Sequence, residues 1–207
     1  MGPEQMLWPF WRLALFYEGV VIVNTVFEGL VEQLLVSMQR LHQALDRAGI
    51  PYLVIGGMAV FLHVDRVDPI LARLTRDIDI AIRRTDLDRI REAVRPFGLT
   101  YRHVAGVDML WDADQPKARS VIHLIMAGER VRVDYPEPTP EIGTGETIMG
   151  ARVTSIDHLL TMKLTSFRLK DQVHVQDLDG AGLITKSMED ALSPLLPERL
   201  AKVRATE

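Results

Sequence analysis

The feature that most constrains this chain is Asp77-Ile78-Asp79, set in the stretch LARLTRDIDIAI from Leu71 to Ile82. Ile80, Ala81 and Ile82 follow, mostly apolar and β-prone, so the segment reads as the start of a buried strand. A strand alternates its side chains, which puts Asp77 and Asp79 on one face. Two like charges side by side on a strand are unfavourable unless something cationic sits between them. A divalent metal meets that need, because hard oxygen ligands suit Mg²⁺. Taken alone, the pair also fits a plainer arrangement, with one Asp capping a turn and the other solvated. The rest of the chain has to separate the two.

At 207 residues the chain is long enough for one well-buried domain, or one plus a small appendage. A net charge of −4 gives no global basic field that would argue for nucleic-acid binding, although a local patch is compatible with it. The absence of cysteine removes disulfides, thiolate zinc sites and cysteine nucleophiles. Met6 to Val26 is rich in aromatic and aliphatic residues, but Pro9, Arg12 and Glu18 interrupt it. A spanning helix needs about 20 apolar residues in succession, and a signal peptide needs a basic start and a small-residue cleavage site. Neither is present. The expectation is a cytoplasmic protein without a membrane segment, whose residues 1–24 form a separate segment of unassigned role.

Leu30, Leu34, Met38, Leu41, Leu45 and Ala48 recur at helical spacing, and Gly49 closes the helix. Tyr52-Leu53-Val54-Ile55 reads as a buried strand running into Gly56-Gly57, and Met58 to Val64 as a short helix. After the Asp77 strand, Thr85 caps a helix that Pro96 and Gly98 end. Leu99 to Val104, Val107 to Trp111 and Val121 to Met126 read as strands. Ala127-Gly128 then suggests a hairpin into a further strand, Arg130 to Tyr135. Prolines at 136, 138 and 140 mark a linker, and helical periodicity follows over Ser155–Leu169, Asp171–Leu183 and Met188–Val203. The expected layout is a mixed α/β core over 25–140 and a helical portion over 141–207.

A strand that ends in Gly-Gly at a helix start lets a ligand approach the backbone, and helix-start N–H groups favour anions. A tight strand-to-helix turn alone also explains the two glycines. If the Arg130–Tyr135 strand lies beside the Asp77 strand, Asp134 brings a third carboxylate to the same point. Three carboxylates beside a phosphate-cradling turn are what two-metal phosphoryl chemistry requires.

Gly56-Gly57, then Arg73-x-Thr75-x-Asp77-x-Asp79, then Val131-Arg132-Val133-Asp134, resembles the polymerase-β-like nucleotidyltransferase superfamily. The Arg-x-Thr-x-Asp-Ile-Asp form is similar to the branch containing the abortive-infection toxin nucleotidyltransferases. Met162-Lys163-Leu164, Arg168, Lys170-Asp171 and His174-x-x-Asp177-Leu178 resemble that branch's helical segment. The resemblance covers roughly Gly49 to Gly182 and implies a mixed β-sheet with packed helices, followed by a small C-terminal helical bundle. It implies that Asp77 and Asp79 ligate Mg²⁺ on the triphosphate and that Asp134 completes a second metal site. Gly56 and Gly57 would hold the β- and γ-phosphates, and Lys163 would neutralise triphosphate charge. Arg73 and Thr75 would bind the nucleotide or brace the loop before the strand.

The implied reaction moves a nucleoside monophosphate from an NTP such as ATP to an acceptor hydroxyl, on an RNA end or a protein side chain. The setting would be a toxin–antitoxin or phage-defence system, with a cognate antitoxin as partner. Plainer roles stand beside these. Asp134 can be a turn residue, Lys163 a snorkelling surface lysine, and Arg168, Lys170, Asp171 and Asp177 a salt-bridged helix pair. His174 fits a hydrogen-bonded packing role, and Arg83, Arg84, Arg89, Arg91 and Arg95 a solvated helix face that an RNA acceptor could use. A haloacid-dehalogenase-type phosphatase is disfavoured because there the apolar run precedes the carboxylate pair. A glycosyltransferase leaves Gly56-Gly57 and Asp134 unexplained. A nucleotidyltransferase fold kept as a catalytically silent nucleotide-binding or regulatory partner is the alternative.

Overall fold

The computed structural model describes residues 21–75, 77–112, 121–143 and 145–206, with side chains from Gln33 onward. The segment 1–24 lies outside the described residues except for its last four positions, which belong to α1 (Val21–Arg47). The elements that follow are β1 (Tyr52–Ile55), α2 (Gly56–Val67), β2 (Ile78–Ile82), α3 (Leu87–Val94), β3 (Leu99–Val104), β4 (Val107–Asp112) and β5 (Ile122–Met126). Then come β6 (Gly145–Ile148), β7 (Ala151–Thr154), α4 (Ile156–Ser166), α5 (Leu169–Gly180), α6 (Lys186–Asp190) and α7 (Leu196–Arg204).

The strands form one mixed sheet in the order β3-β4-β5-β2-β1-β7-β6. β2 lies antiparallel to β1 and parallel to β5, at the centre of the sheet. Such strands must be apolar on both faces except where a site is built. Along β2, Ile78, Ile80 and Ile82 are fully buried in the main core, together with Tyr52 and Val54 of β1 and Leu34, Leu41 and Leu45 of α1. Each buried aliphatic side chain of this size contributes about 1.5–3 kcal/mol. The opposite face carries a smaller cluster, Leu53, Ile55 and Ala81, with Ile125, Ile142 and Met162 packed on it. A third cluster, Leu160, Leu164, Val175, Leu196, Leu200 and Val203, holds α4, α5 and α7 together. Helix α2 is tied across the sheet by His63, whose Nε2 bonds the Thr154 carbonyl at 2.7 Å from a fully buried position.

Two sequence expectations are corrected here. Residues 130–135 form no strand and do not pair with β5. The reason is topological: β5 is bonded to β2 along its whole length on one edge and to β4 over Ile122–Leu124 on the other, which leaves only Ile125 and Met126 for a hairpin partner. The segment instead bulges as a loop, closed at its base by Gly128 N–H to the Thr139 carbonyl and Thr139 N–H to the Glu129 carbonyl, both 2.8 Å. Val133 within it is 97% exposed. Second, the glycine- and proline-rich stretch read as linker ends in β6 and β7. These pair with each other, and β7 lies parallel to β1.

Candidate functional site

The site begins at the β1–α2 junction. Gly56 has φ +70°, in the left-handed region that favours glycine. A β-carbon there would collide with the Asp79 carboxylate, so the bare backbone lies directly against that side chain. At Gly57 a β-carbon would stand 2.8 Å from Thr75 Oγ1 and 3.3 Å from His174 Cε1. The glycine pair is therefore required by close packing of three elements: the turn, the loop before β2, and α5. The first turn of α2 has no side-chain cap, which leaves its N–H groups available to an anion.

Asp79 sits on β2 with 30% side-chain exposure, and Asp77 precedes the strand, half-buried. Thr75 braces this approach. Its hydroxyl reaches the Asp77 backbone, accepting from the N–H at 3.5 Å and donating to the carbonyl at 3.4 Å. Arg73 donates from Nε to Asp177 Oδ1 at 2.9 Å and so fastens the same loop to α5. Both residues act on loop geometry in this structure, as the plainer reading has it for Thr75. The Asp177 carboxyl is pushed up by burial, against the pull of Arg73.

Asp134 lies exposed in the 127–143 loop and not on a strand beside Asp79, because the hairpin that would have carried it is absent. The residue that does stand beside Asp79 is His123. Parallel pairing of β2 and β5 sets the two in the same register, and Nδ1 of His123 donates to Asp79 Oδ1 at 3.0 Å. This hydrogen bond raises the imidazole above its ordinary range, burial opposes it, and the nearby Asp77 adds to the rise. The sequence signal for His123 is a titratable residue inside the apolar strand IHLIM, the same anomaly that marks Asp79 in IDIAI. Among the described residues no three His, Cys, Asp or Glu side chains form a group able to hold a metal ion. Asp77 and Asp79 leave two carboxylates at this end of β2.

Below the carboxylates lies a buried ion-pair network. Lys163 on α4 is 5% exposed, so the snorkelling reading does not hold. Its Nζ donates to Asp171 Oδ1 at 3.2 Å, and Asp171 also accepts from Ser166 Oγ at 2.8 Å and Arg168 Nε at 2.7 Å. Burial raises the Asp171 carboxyl, but Arg168, Lys163 and Ser166 outweigh it and hold it at about 2. Burial pushes the Lys163 ammonium down, while Asp171 and, more weakly, Asp79 pull it up. Asp79 thus feels Lys163 electrostatically from beneath. His174, one turn along α5 from Asp171, packs against the Gly57 backbone. Its buried Nδ1 has no hydrogen-bond partner among the described residues, contrary to the hydrogen-bonded packing role expected for it. Burial and the neighbouring Lys163 lower it to about 4.

A cleft of about 570 Å³ opens beside β5, lined among others by Arg84, Arg130, Arg132, Tyr135 and Arg168. Arg84 is engaged by Glu129. Arg168 connects the cleft to the carboxylate edge, since it interacts electrostatically with both Tyr135 and Asp79. Of the arginines expected on a solvated helix face, Arg89 and Arg91 pair with Asp86 and Asp88 within their own turn.

No known protein-family profile and no curated protein matches the sequence. Among solved structures, the chain is similar to the antibiotic-resistance factor ANT(2'')-Ia in solution, at 14% identity and a TM-score of 0.52, covering 86% of this chain and 91% of that one. The crystal structure of ANT(2'')-Ia in complex with adenylyl-2''-tobramycin aligns at 15% identity and 0.49, over 83% and 97%. An antigenic nucleotidyltransferase-like protein from Paracoccidioides brasiliensis aligns at 18% and 0.45, over 84% and 87%. The chain has a nucleotidyltransferase-type fold, a seven-stranded mixed sheet with packed helices and several helices at its C-terminal end. Among the described residues no helix is long and apolar enough to cross a membrane.

Proposed function

We propose that this protein is a nucleotidyltransferase that moves a nucleoside monophosphate from an NTP to an acceptor hydroxyl on an RNA end. The observation that carries this reading is the approach of the Gly56 backbone to the Asp79 carboxylate. It joins an uncapped helix N-terminus, suited to phosphates, to a carboxylate pair suited to Mg²⁺. The resemblance to the abortive-infection toxin branch suggests a cytoplasmic toxin or defence role with an antitoxin partner.

In this reading the β- and γ-phosphates lie over Gly56, Gly57 and the first turn of α2. Asp77 and Asp79 would hold Mg²⁺, which when bound neutralises triphosphate charge. Thr75 and Arg73 fix the loop that presents Asp77, while Lys163 adds positive potential from below. The chain's contribution is positioning and preorganised charge. Arg130, Arg132 and Arg168 along the adjacent cleft favour a polyanionic acceptor.

The test is transfer of label from α-phosphate-labelled NTPs to total RNA in the presence of Mg²⁺. Label on RNA with wild type, and none with the Asp77→Asn/Asp79→Asn double variant, supports the reading. Nucleotide binding without transfer to any RNA or lysate protein overturns it. That result favours the silent binding partner, a second reading that the displaced Asp134 supports.

A further inference from the structure

We infer that the carboxylate edge binds a single divalent cation, with His123 standing where a third carboxylate would have to stand to hold a second. The inference rests on the nucleotide-binding reading of Asp77 and Asp79. Besides Asp77, a ligand offered to the same cation by the sheet itself would project from a strand flanking β2, at the level of Asp79 and on the same face. The sheet has two such positions. On β1 the residue paired with Asp79 is Ile55, which is buried and apolar. On β5 it is His123.

His123 does not replace the missing ligand. Its Nδ1 stands 3.0 Å from Asp79 Oδ1, and an imidazole brings no negative charge and at most one lone pair per nitrogen, so it cannot bridge two cations as a carboxylate does. That hydrogen bond occupies one acceptor site of Asp79. Asp134 is exposed in the loop beyond β5. Two divalent cations held close together need bridging carboxylates and a matching negative charge. Here the described residues supply only the Asp77 and Asp79 carboxylates at this edge, with a hydrogen-bond donor set against one of them. That donor set fits one cation shared with the triphosphate and does not fit two.

Manganese stoichiometry gives the test, read by electron paramagnetic resonance of free Mn²⁺ in titrations of the full chain. The probes are Mn²⁺ with each α,β-methylene analogue of the four common ribonucleoside triphosphates. One ion per chain in wild type and in His123→Asn, rising to two in His123→Asp, is the expected pattern. If His123→Asp does not melt cooperatively, His123→Glu serves in its place. Two ions in wild type overturn the inference while leaving the nucleotide site intact. A count that stays at one in the carboxylate variants overturns the assignment of His123 as the blocking residue. No ion and no bound nucleotide in wild type overturns both the inference and the functional reading beneath it.

Discussion

On β2, alternate residues meet opposite environments. Ile78, Ile80 and Ile82 enter the main core with no exposed surface, beside side chains from α1, α2 and β1. Asp79 faces the other way, still 30% exposed, over a cluster with only Leu53, Ile55 and Ala81 fully buried. Five residues therefore serve two ends, and strand alternation keeps them apart. The lesson is that stability and chemistry should be separable here by moving one position along the chain.

The sharpest break of this contrast comes from Asp79→Asn. It keeps the size of the side chain and an oxygen that accepts from His123, but removes the charge. Label transfer should fall by at least about 10³-fold, the scale for losing a preorganised electrostatic contact. Its unfolding free energy from denaturant titration should stay within about 1 kcal/mol of wild type. A stability loss of core size would erase the distinction between the faces. Ile80→Ala should do the reverse. Urea unfolding should show a loss of about 2–5 kcal/mol from the cavity, with nucleotide affinity of the folded fraction preserved in a binding titration.

A third effect tests the helical wall of the site. His174 has a folded value of about 4, below the ordinary 6.5, so the unfolded chain takes up its proton first as pH falls. Its contribution is intact above about pH 6.5 and is lost between there and pH 4. The loss amounts to about 3 kcal/mol at most. His174→Gln should flatten that limb of a stability–pH profile; an unchanged profile would place the titrating group elsewhere. The smallest expected effect is Arg73→Ala. Arg73 is 68% exposed, so solvent screening limits its ion pair with Asp177 to about 1 kcal/mol. Nucleotide affinity should weaken about threefold as the Asp77 loop loosens, measurable by calorimetry.

Local patterns carried much of the architecture. The apolar run before Gly56, the carboxylate pair before an apolar run, and most helical periodicities are each contained within a few residues and read correctly; the exceptions are Met188–Val203, which is two helices, α6 and α7, and Thr85, which lies in a turn ahead of Asp86, the residue at the N-cap of α3. What failed depended on strand neighbours distant in sequence. Val131, Arg132, Val133 and Asp134 alternate as a strand does, but β2 and β4 leave β5 only Ile125 and Met126 on one edge to receive them. β6 and β7 have four residues each and take their place from each other and from β1 across about a hundred residues. His123 is marked in the sequence as a titratable residue within an apolar strand, but its place beside Asp79 depends on the register of β5 against β2. Lys163 was placed on a helix by periodicity, yet its burial against Asp171 depends on how α4 packs on α5.

The most direct check on the site is a crystal of the chain grown with Mn²⁺ and an α,β-methylene triphosphate, with data collected for the anomalous signal of manganese. A manganese peak at the Asp77 and Asp79 carboxylates, with the triphosphate lying over Gly56 and Gly57, is the expected result. A nucleotide seated in the arginine-lined cleft or elsewhere, with no manganese at those carboxylates, would contradict it.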